Sequence, residues 1–324
     1  MDIPAHIVQA FRLPPVYTLR PIGHGLLHAT YQVLTPQGTW VLQKLHAAIP
    51  DAAVEDMQVV TAHLASYGLH VPLLVSTRDG QPVARDTVGG RWRLYPWIPG
   101  QVLEALPQAA LAREAGRLVG VLHRALASLA YVPRGSLPHF HDTLFVLAEL
   151  QRVRGQLPAP LIPLADTMLT TLPSLILTDM PQQLIHGDLK ISNLIFDSAG
   201  HAMGLIDFDT LLLHGRAIDL GDACRSWCNR TAEDDPQARF DMTFFEAVVL
   251  GYAEGAGRSA SAAARRLYLR ATRQITLELA ARFLIDVVRD SYFAFDASRY
   301  PHRQAHNAAR ALGQYHLAST IPAG

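Results

Sequence analysis

The chain has 324 residues, with 28 Lys and Arg against 28 Asp and Glu; it carries no formal net charge, and only 17% of it is charged where roughly 25% is usual. That balance argues against a nucleic-acid binder or a membrane-surface protein, which would show a basic excess or a basic amphipathic face. Hydrophobic residues make up 49%, enough for a large core, and the length suits two lobes sharing an interface better than a string of small modules.

The opening MDIPAHIVQAFRLPP lacks the basic stretch and apolar core of a secretion signal. The most apolar run, residues 157–180, is interrupted by Pro158, Pro160, Pro163, Asp166 and Pro173, short of the roughly 18–20 residues a membrane span needs. Cys224 and Cys228, four apart in a helical stretch, read as small core residues in a reducing compartment, so a cytoplasmic location is expected.

From Tyr17 to Trp97, short runs rich in Val, Leu, Tyr and Trp alternate with turn signals such as Pro36-Gln37-Gly38 and Val88-Gly89-Gly90, the texture of a small antiparallel sheet. One helix interrupts it, residues 51–67, where Val54, Met57, Val60, Thr61 and Leu64 recur at helical spacing behind a cap at Asp51. After Pro99-Gly100 the chain turns helical, with periodic segments at 111–129, 144–154, 240–256 and 261–288. Inside this half lies a strand-loop-strand element: 183–185, HGDLKISN, 194–196, a turn at 197–200, and 203–206 ending in DFDT. The fold class predicted is α+β and bilobal: residues 1–97 form a small β-rich nucleotide-binding lobe, and residues 98–324 a larger, mostly helical catalytic and substrate lobe.

The chemistry is concentrated in His186-Gly187-Asp188-Leu189-Lys190-Ile191-Ser192-Asn193, followed by Asp207-Phe208-Asp209. Phosphoryl transfer needs a carboxylate to orient or deprotonate the attacking hydroxyl, and oxygen ligands for Mg²⁺ on the nucleotide phosphates. The order H-x-D-x-x-x-x-N puts Asp188 and Asn193 on one loop, and Asp207 returns nineteen residues later at the end of a hairpin strand. Taken singly, each is an ordinary turn residue. The full pattern, framed by Leu184-Ile185 and Ile206, points to a nucleotide–Mg²⁺ site.

These motifs resemble the aminoglycoside phosphotransferase and choline kinase group of protein-kinase-like small-molecule kinases. GHGLLHATYQV, WVLQKLH, RWRLYPWIPG, PHFHDT, LIDFDTLLLHGRAIDLGDACR and ARFLIDVVRDSYF resemble more narrowly the bacterial N-acetylhexosamine 1-kinases, over about residues 20–295. The resemblance implies ATP and Mg²⁺ as cofactors and a small-molecule acceptor, an amino sugar phosphorylated on its anomeric hydroxyl. An aminoglycoside- or choline-type acceptor, or a nucleotide-binding pseudokinase, are the alternatives. It makes Asp188 the base, Lys190 a contact to the transferred group, Asn193 and Asp207 the metal ligands, and Asp219 and Asp222 braces of the loop.

On the nucleotide side, Gly23 and Gly25 lie between two strands, as a phosphate loop or as a plain turn. The group's strand lysine falls on Gln43 by alignment of the apolar residues; Gln43 then faces the nucleotide and Lys44 points outward, because one residue of slip reverses the face. Glu55 is the carboxylate available to the usual lysine–glutamate pair. Tyr95, Trp97 and Ile98 form the hinge against the base, or else an ordinary packed edge strand. For the acceptor, the resemblance carries sugar contacts onto Arg282 and Tyr292; a salt bridge from Arg282 to Asp286 is the competing reading. Asp209 is open to three roles: a second metal, a sugar hydroxyl, or a turn cap. Glu233-Asp234-Asp235 reads as a solvated loop, and His139, His141, His302 and His306 as surface or packing residues.

Overall fold

The structure, a computed structural model, describes residues 3–14, 18–22 and 28–323. Helix α1 (Ala5–Ala10) precedes strands β1 (Thr18–Pro21), β2 (Ala29–Thr35) and β3 (Gly38–Lys44); α2 (Asp51–Ser66), β4 (Ala84–Arg85) and β5 (Arg91–Pro96) follow. The five strands make one antiparallel sheet in the order β1-β2-β3-β5-β4. Pleat alternation gives the sheet two unlike faces. Leu42, Trp92 and Leu94 turn to one side and close a small core with Ile7, Val8 and Phe11 of α1. Gln43, directly opposite Arg93, and Val41, opposite Tyr95, turn to the other.

Helix α2 starts at Asp51, but its cap differs from the sequence reading. Pro50 is the capping residue and makes no side-chain cap bond. Asp51 instead pairs with Arg85 and Arg91, a tie between helix and sheet that local sequence does not show.

The larger lobe begins with β6 (Gln101–Val102) and continues through α3 (Ala109–Ala127), α4 (Thr143–Val153) and α5 (Ile162–Thr171). Next come β7 (Gln182–Ile185), β8 (Leu194–Phe196), β9 (Ala202–Leu205), β10 (Leu212–Gly215), α6 (Arg216–Trp227), α7 (Met242–Ala256), α8 (Ala262–Arg289) and α9 (Arg303–Thr320). Strands β6, β8 and β9 form one antiparallel ribbon, and β7 and β10 another. The proline-rich run 157–180 contains α5, because Pro163 sits in its first turn, where a missing N–H costs nothing. The bilobal α+β architecture is as expected.

The main core is built on α3 and α7. Gly116 and Gly120 of α3 face Gly251 and Gly255 of α7; a Cβ at any of the four would meet partner backbone at 1.9–2.4 Å. The helices therefore approach at backbone distance and fix the platform on which β7–β9 present the loop after β7. No helix of the described residues is long and apolar enough to cross a membrane.

Candidate active site

Strand β7 delivers His186 into a loop whose backbone is bonded at nearly every peptide. Asp219, wholly buried on α6, accepts the N–H groups of His186 (2.9 Å) and Gly187 (2.8 Å), and its Oδ2 also meets His123 Nε2 at 2.9 Å. The carbonyl of His186 accepts Thr210 Oγ1 and that of Gly187 accepts His141 Nε2, at 2.8 and 2.7 Å. Gly187 has φ +88°, and a Cβ there would lie 2.4 Å from the Thr210 carbonyl, so both conformation and space require glycine. The His186 ring accepts the Asp188 N–H at Nδ1 and thereby donates from Nε2 to the Ile206 carbonyl, joining the loop to the end of β9. Asp219 is thus the brace that the resemblance implied, and His141 is a packed residue serving the same loop.

Asp188, Lys190, Asn193 and Asp207 converge. Lys190 Nζ lies 2.7 Å from Asp188 Oδ2 and 3.7 Å from Asp207 Oδ2. Asn193 Nδ2 donates to the Asp188 carbonyl at 2.8 Å and reaches its Oδ2 at 3.3 Å, which leaves the amide oxygen for a cation. Burial pushes the Asp188 carboxyl up, but the Lys190 ammonium outweighs it and holds the group below its usual range, ready to accept a proton. Asp207 has the opposite balance: burial and the charges of Asp209 and Asp188 push it up despite Lys190. It also stands in the left-handed region at φ +68°. A carboxylate held against two like charges suits a divalent cation; Asp207, with the free amide oxygen of Asn193 on the same loop system, would hold Mg²⁺.

Asp209 is not placed for a hydroxyl or a turn cap. It is 2% exposed, and both oxygens are taken by Arg93, Nη1 to Oδ1 at 2.7 Å and Nη2 to Oδ2 at 2.6 Å. His28 Nε2 adds a third bond at 2.9 Å, while its Nδ1 accepts the His46 N–H. The ligand atoms of His28, Asp207 and Asp209 do lie within 4.8 Å of one another, but those of His28 and Asp209 are already spent on these bonds. Burial would push Asp209 up; Arg93 and His28 reverse this and hold it far below the carboxylate range.

Gln43 lies on this same face of the sheet, and its side chain is engaged within the chain, donating to Thr30 Oγ1 at 3.1 Å and accepting Arg93 Nε at 2.8 Å. Lys44 is on the opposite face, over the Trp92 ring and 3.5 Å from Asp86. Glu55 pairs with Arg134, so no strand-lysine–glutamate pair forms. Tyr95 is buried on the Arg93 face, and burial raises its hydroxyl far above the ordinary value. Trp97 donates its N–H to Thr39 at 2.9 Å, extending the ladder past β5; alternation then directs the Pro96 carbonyl and the Ile98 N–H to the free edge. Gly23 and Gly25 lie outside the described residues.

Arg282 and Tyr292 come together beside two further rings. The guanidinium sits 5.4 Å from the ring centres of Phe140 and Tyr292 and 5.6 Å from that of Phe293. Asp286 makes no pair with it: its oxygens take the N–H groups of Ser291, Tyr292 and Phe293 and the Asn307 amide, capping the chain after α8. Phe140 connects this cage to the catalytic loop, with its ring 3.3 Å from where a Gly187 side chain would begin.

The acidic run is not a solvated loop. Asp234 is 6% exposed and takes Tyr300 Oη, Arg299 and His306, while Glu233 meets Arg225 and Arg310. Arg225 in turn holds Asp222 and adds positive charge near Asp188. Sequence reading missed Arg93, His28 and Arg225. For Arg93 a signal existed, because it shares a strand face with Tyr95 and, by register, with Gln43; its partner 116 residues away left none.

The chain is 25% identical over 238 residues to a homoserine kinase of Zymomonas mobilis, covering 72% of this chain and 71% of that one. Another homoserine kinase, from Gluconobacter oxydans, is 25% identical over 273 residues and 78% of both chains. These relatives are named homoserine kinases, not N-acetylhexosamine kinases. Among solved structures, the GDP complex of an aminoglycoside 2'-phosphotransferase-IIIa superposes with a TM-score of 0.66 at 14% identity over 96% of each chain. A microcompartment-associated aminopropanol kinase gives 0.63 at 17% over 98% of each. Both share the bilobal α+β fold. The model of the phosphotransferase enzyme family matches residues 18–267, well over half of the chain, and the protein belongs to that family.

Proposed function

We propose that the protein transfers the terminal phosphoryl group of an ATP-type nucleotide, with Mg²⁺, to the hydroxyl of a small amino compound of the homoserine or amino-alcohol class. The observation that carries the transfer is the Asp188–Lys190–Asp207 chain of contacts at 2.7 and 3.7 Å. Asp188 orients the acceptor hydroxyl and takes its proton as the oxygen attacks. Lys190 keeps that carboxylate ionised and spreads the charge that develops beside it. When bound at Asn193 and Asp207, Mg²⁺ would neutralise the nucleotide phosphates. The Pro96 carbonyl and Ile98 N–H supply an acceptor and a donor for the base edge.

The acceptor class is supported by the relatives named for homoserine and the fold neighbour named for aminopropanol, and its amino-acid member also by Arg282. Among the described residues no carboxylate pairs with Arg282, and its aromatic cage adjoins the catalytic loop through Phe140. A substrate carboxylate would complete that cation. A second reading, the anomeric hydroxyl of an N-acetylhexosamine, is favoured by the half-exposed Tyr292 ring beside Arg282, a face on which a sugar can stack. ADP release measured with homoserine, aminopropanol, N-acetylglucosamine, kanamycin and choline separates them. Turnover with homoserine or aminopropanol is expected; turnover with N-acetylglucosamine alone selects the second reading, and none with any hydroxyl compound rejects the kinase assignment.

A further inference from the structure

Position 43, where kinases of this kind place a strand lysine, holds Gln43, and the buried cation on that face comes from the neighbouring strand. Arg93 is 1% exposed; its Nε is fixed by Gln43, and its two terminal nitrogens clamp both oxygens of Asp209. Such a paired fork is rigid in a way that one ammonium is not. Its anchor point is two residues from Asp207, which is held at φ +68°, a conformation that an aspartate keeps only when its surroundings fix it. His28, just before β2, grips the same carboxylate at 2.9 Å.

We infer that Arg93 is a positioning residue: through Asp209 it ties the small lobe's sheet to the metal-binding turn and sets the carboxylate of Asp207, replacing the phosphate-contacting strand lysine by a contact that does not touch the nucleotide. Gln43 belongs to the same device, because it holds the guanidinium in the plane that Asp209 needs. The inference rests on the proposal that Asp207 is a metal ligand, and it makes a distinct demand: metal affinity and nucleotide affinity separate.

Removing Arg93 alone would leave Asp209 buried and uncompensated, so the test uses the charge-balanced double variant Arg93→Met/Asp209→Asn, with folding verified by its melting curve. Mn²⁺ is titrated into protein saturated with AMP-PNP and followed by electron paramagnetic resonance; binding of trinitrophenyl-ATP in EDTA is measured alongside. The double variant is expected to bind Mn²⁺ about tenfold or more weakly while metal-free nucleotide affinity stays within about twofold. Unchanged Mn²⁺ affinity in a folded variant overturns the inference. So does an equal fall in metal-free nucleotide affinity, which would mean that Arg93 contacts phosphate as a strand lysine does. If the double variant does not fold, Arg93→Lys, which keeps the charge but loses the fork, carries the same comparison with a smaller expected loss. If the parent binds AMP-PNP but no Mn²⁺, the metal reading of Asp207 falls, and with it this one.

Discussion

Asp188 is ionised because Lys190 stands 2.7 Å away, not because its surroundings are wet. Two outcomes follow from that balance. Asp188→Asn keeps the shape of the loop but removes the proposed proton acceptor; kcat should fall by about 10²–10⁴, the usual share of a general base, while calorimetry shows AMP-PNP binding little changed. Lys190→Ala removes the charge that offsets burial, so the Asp188 pKa rises and its carboxylate is lost at higher pH. The acid limb of the pH–kcat profile should therefore move upward relative to the parent, and a limb that stays put would mean that Lys190 does not set the ionisation of Asp188. The motif that supplied these residues was legible in the sequence because its members sit within one short loop. Asp209 was not: two residues after Asp207 it reads equally as a second metal ligand, a sugar contact or a turn cap, and only the fold brings Arg93 to it.

At the scale of elements, periodicity located five helices, α2, α3, α4, α7 and α8, to within about two residues, because each buries one face, but it passed over the 18-residue α9. What periodicity does not convey is how near two helices come. In an exposed helix, Gly→Ala stabilises by about 1 kcal/mol. Gly251→Ala should do the reverse, because the new methyl would lie 1.9 Å from the Arg113 carbonyl; a loss of about 1–3 kcal/mol in denaturant unfolding is expected. The brace is a second case. Asp219→Ala would strip acceptors from two loop N–H groups and from His123, costing about 3 kcal/mol or more and lowering kcat, because the His186 and Gly187 peptides that lead into Asp188 lose their anchor.

For the whole molecule, buried charge joins segments that are distant in the chain. His141 illustrates the pH consequence. Burial pushes its pKa down, but Glu278 at 3.5 Å outweighs this and raises it above 6.5, with Asp222 adding to the effect. Glu278 moves the other way: burial is overcome by His141, and its pKa lies below 4.5. A raised histidine stabilises the fold fully below its unfolded value and loses that contribution as pH climbs through the folded one; a lowered carboxylate does so above its unfolded value and loses it as pH falls through the folded one. The pair is thus strongest between about pH 4.5 and 6.5. The melting temperature of the parent relative to His141→Gln, which can still bond the Gly187 carbonyl, should show its largest advantage in that window and a shrinking one on the alkaline side.

The sequence by itself determined the lobes' composition, most of the long helices and the HGDLKISN loop, because each depends on residues close together in the chain: a strand's alternation, a helix's stripe, an eight-residue motif. The zero net charge belongs here too, since a kinase needs local cations rather than a basic field. The tertiary structure alone decided which charges meet. Arg93 with Asp209, Asp234 with Tyr300 and Arg299, and Arg282 with Phe140 all span long separations. Such partners leave no local pattern, because ion pairing and desolvation depend on distance in space, and in the chain the same residues read as turn formers and solvated charges.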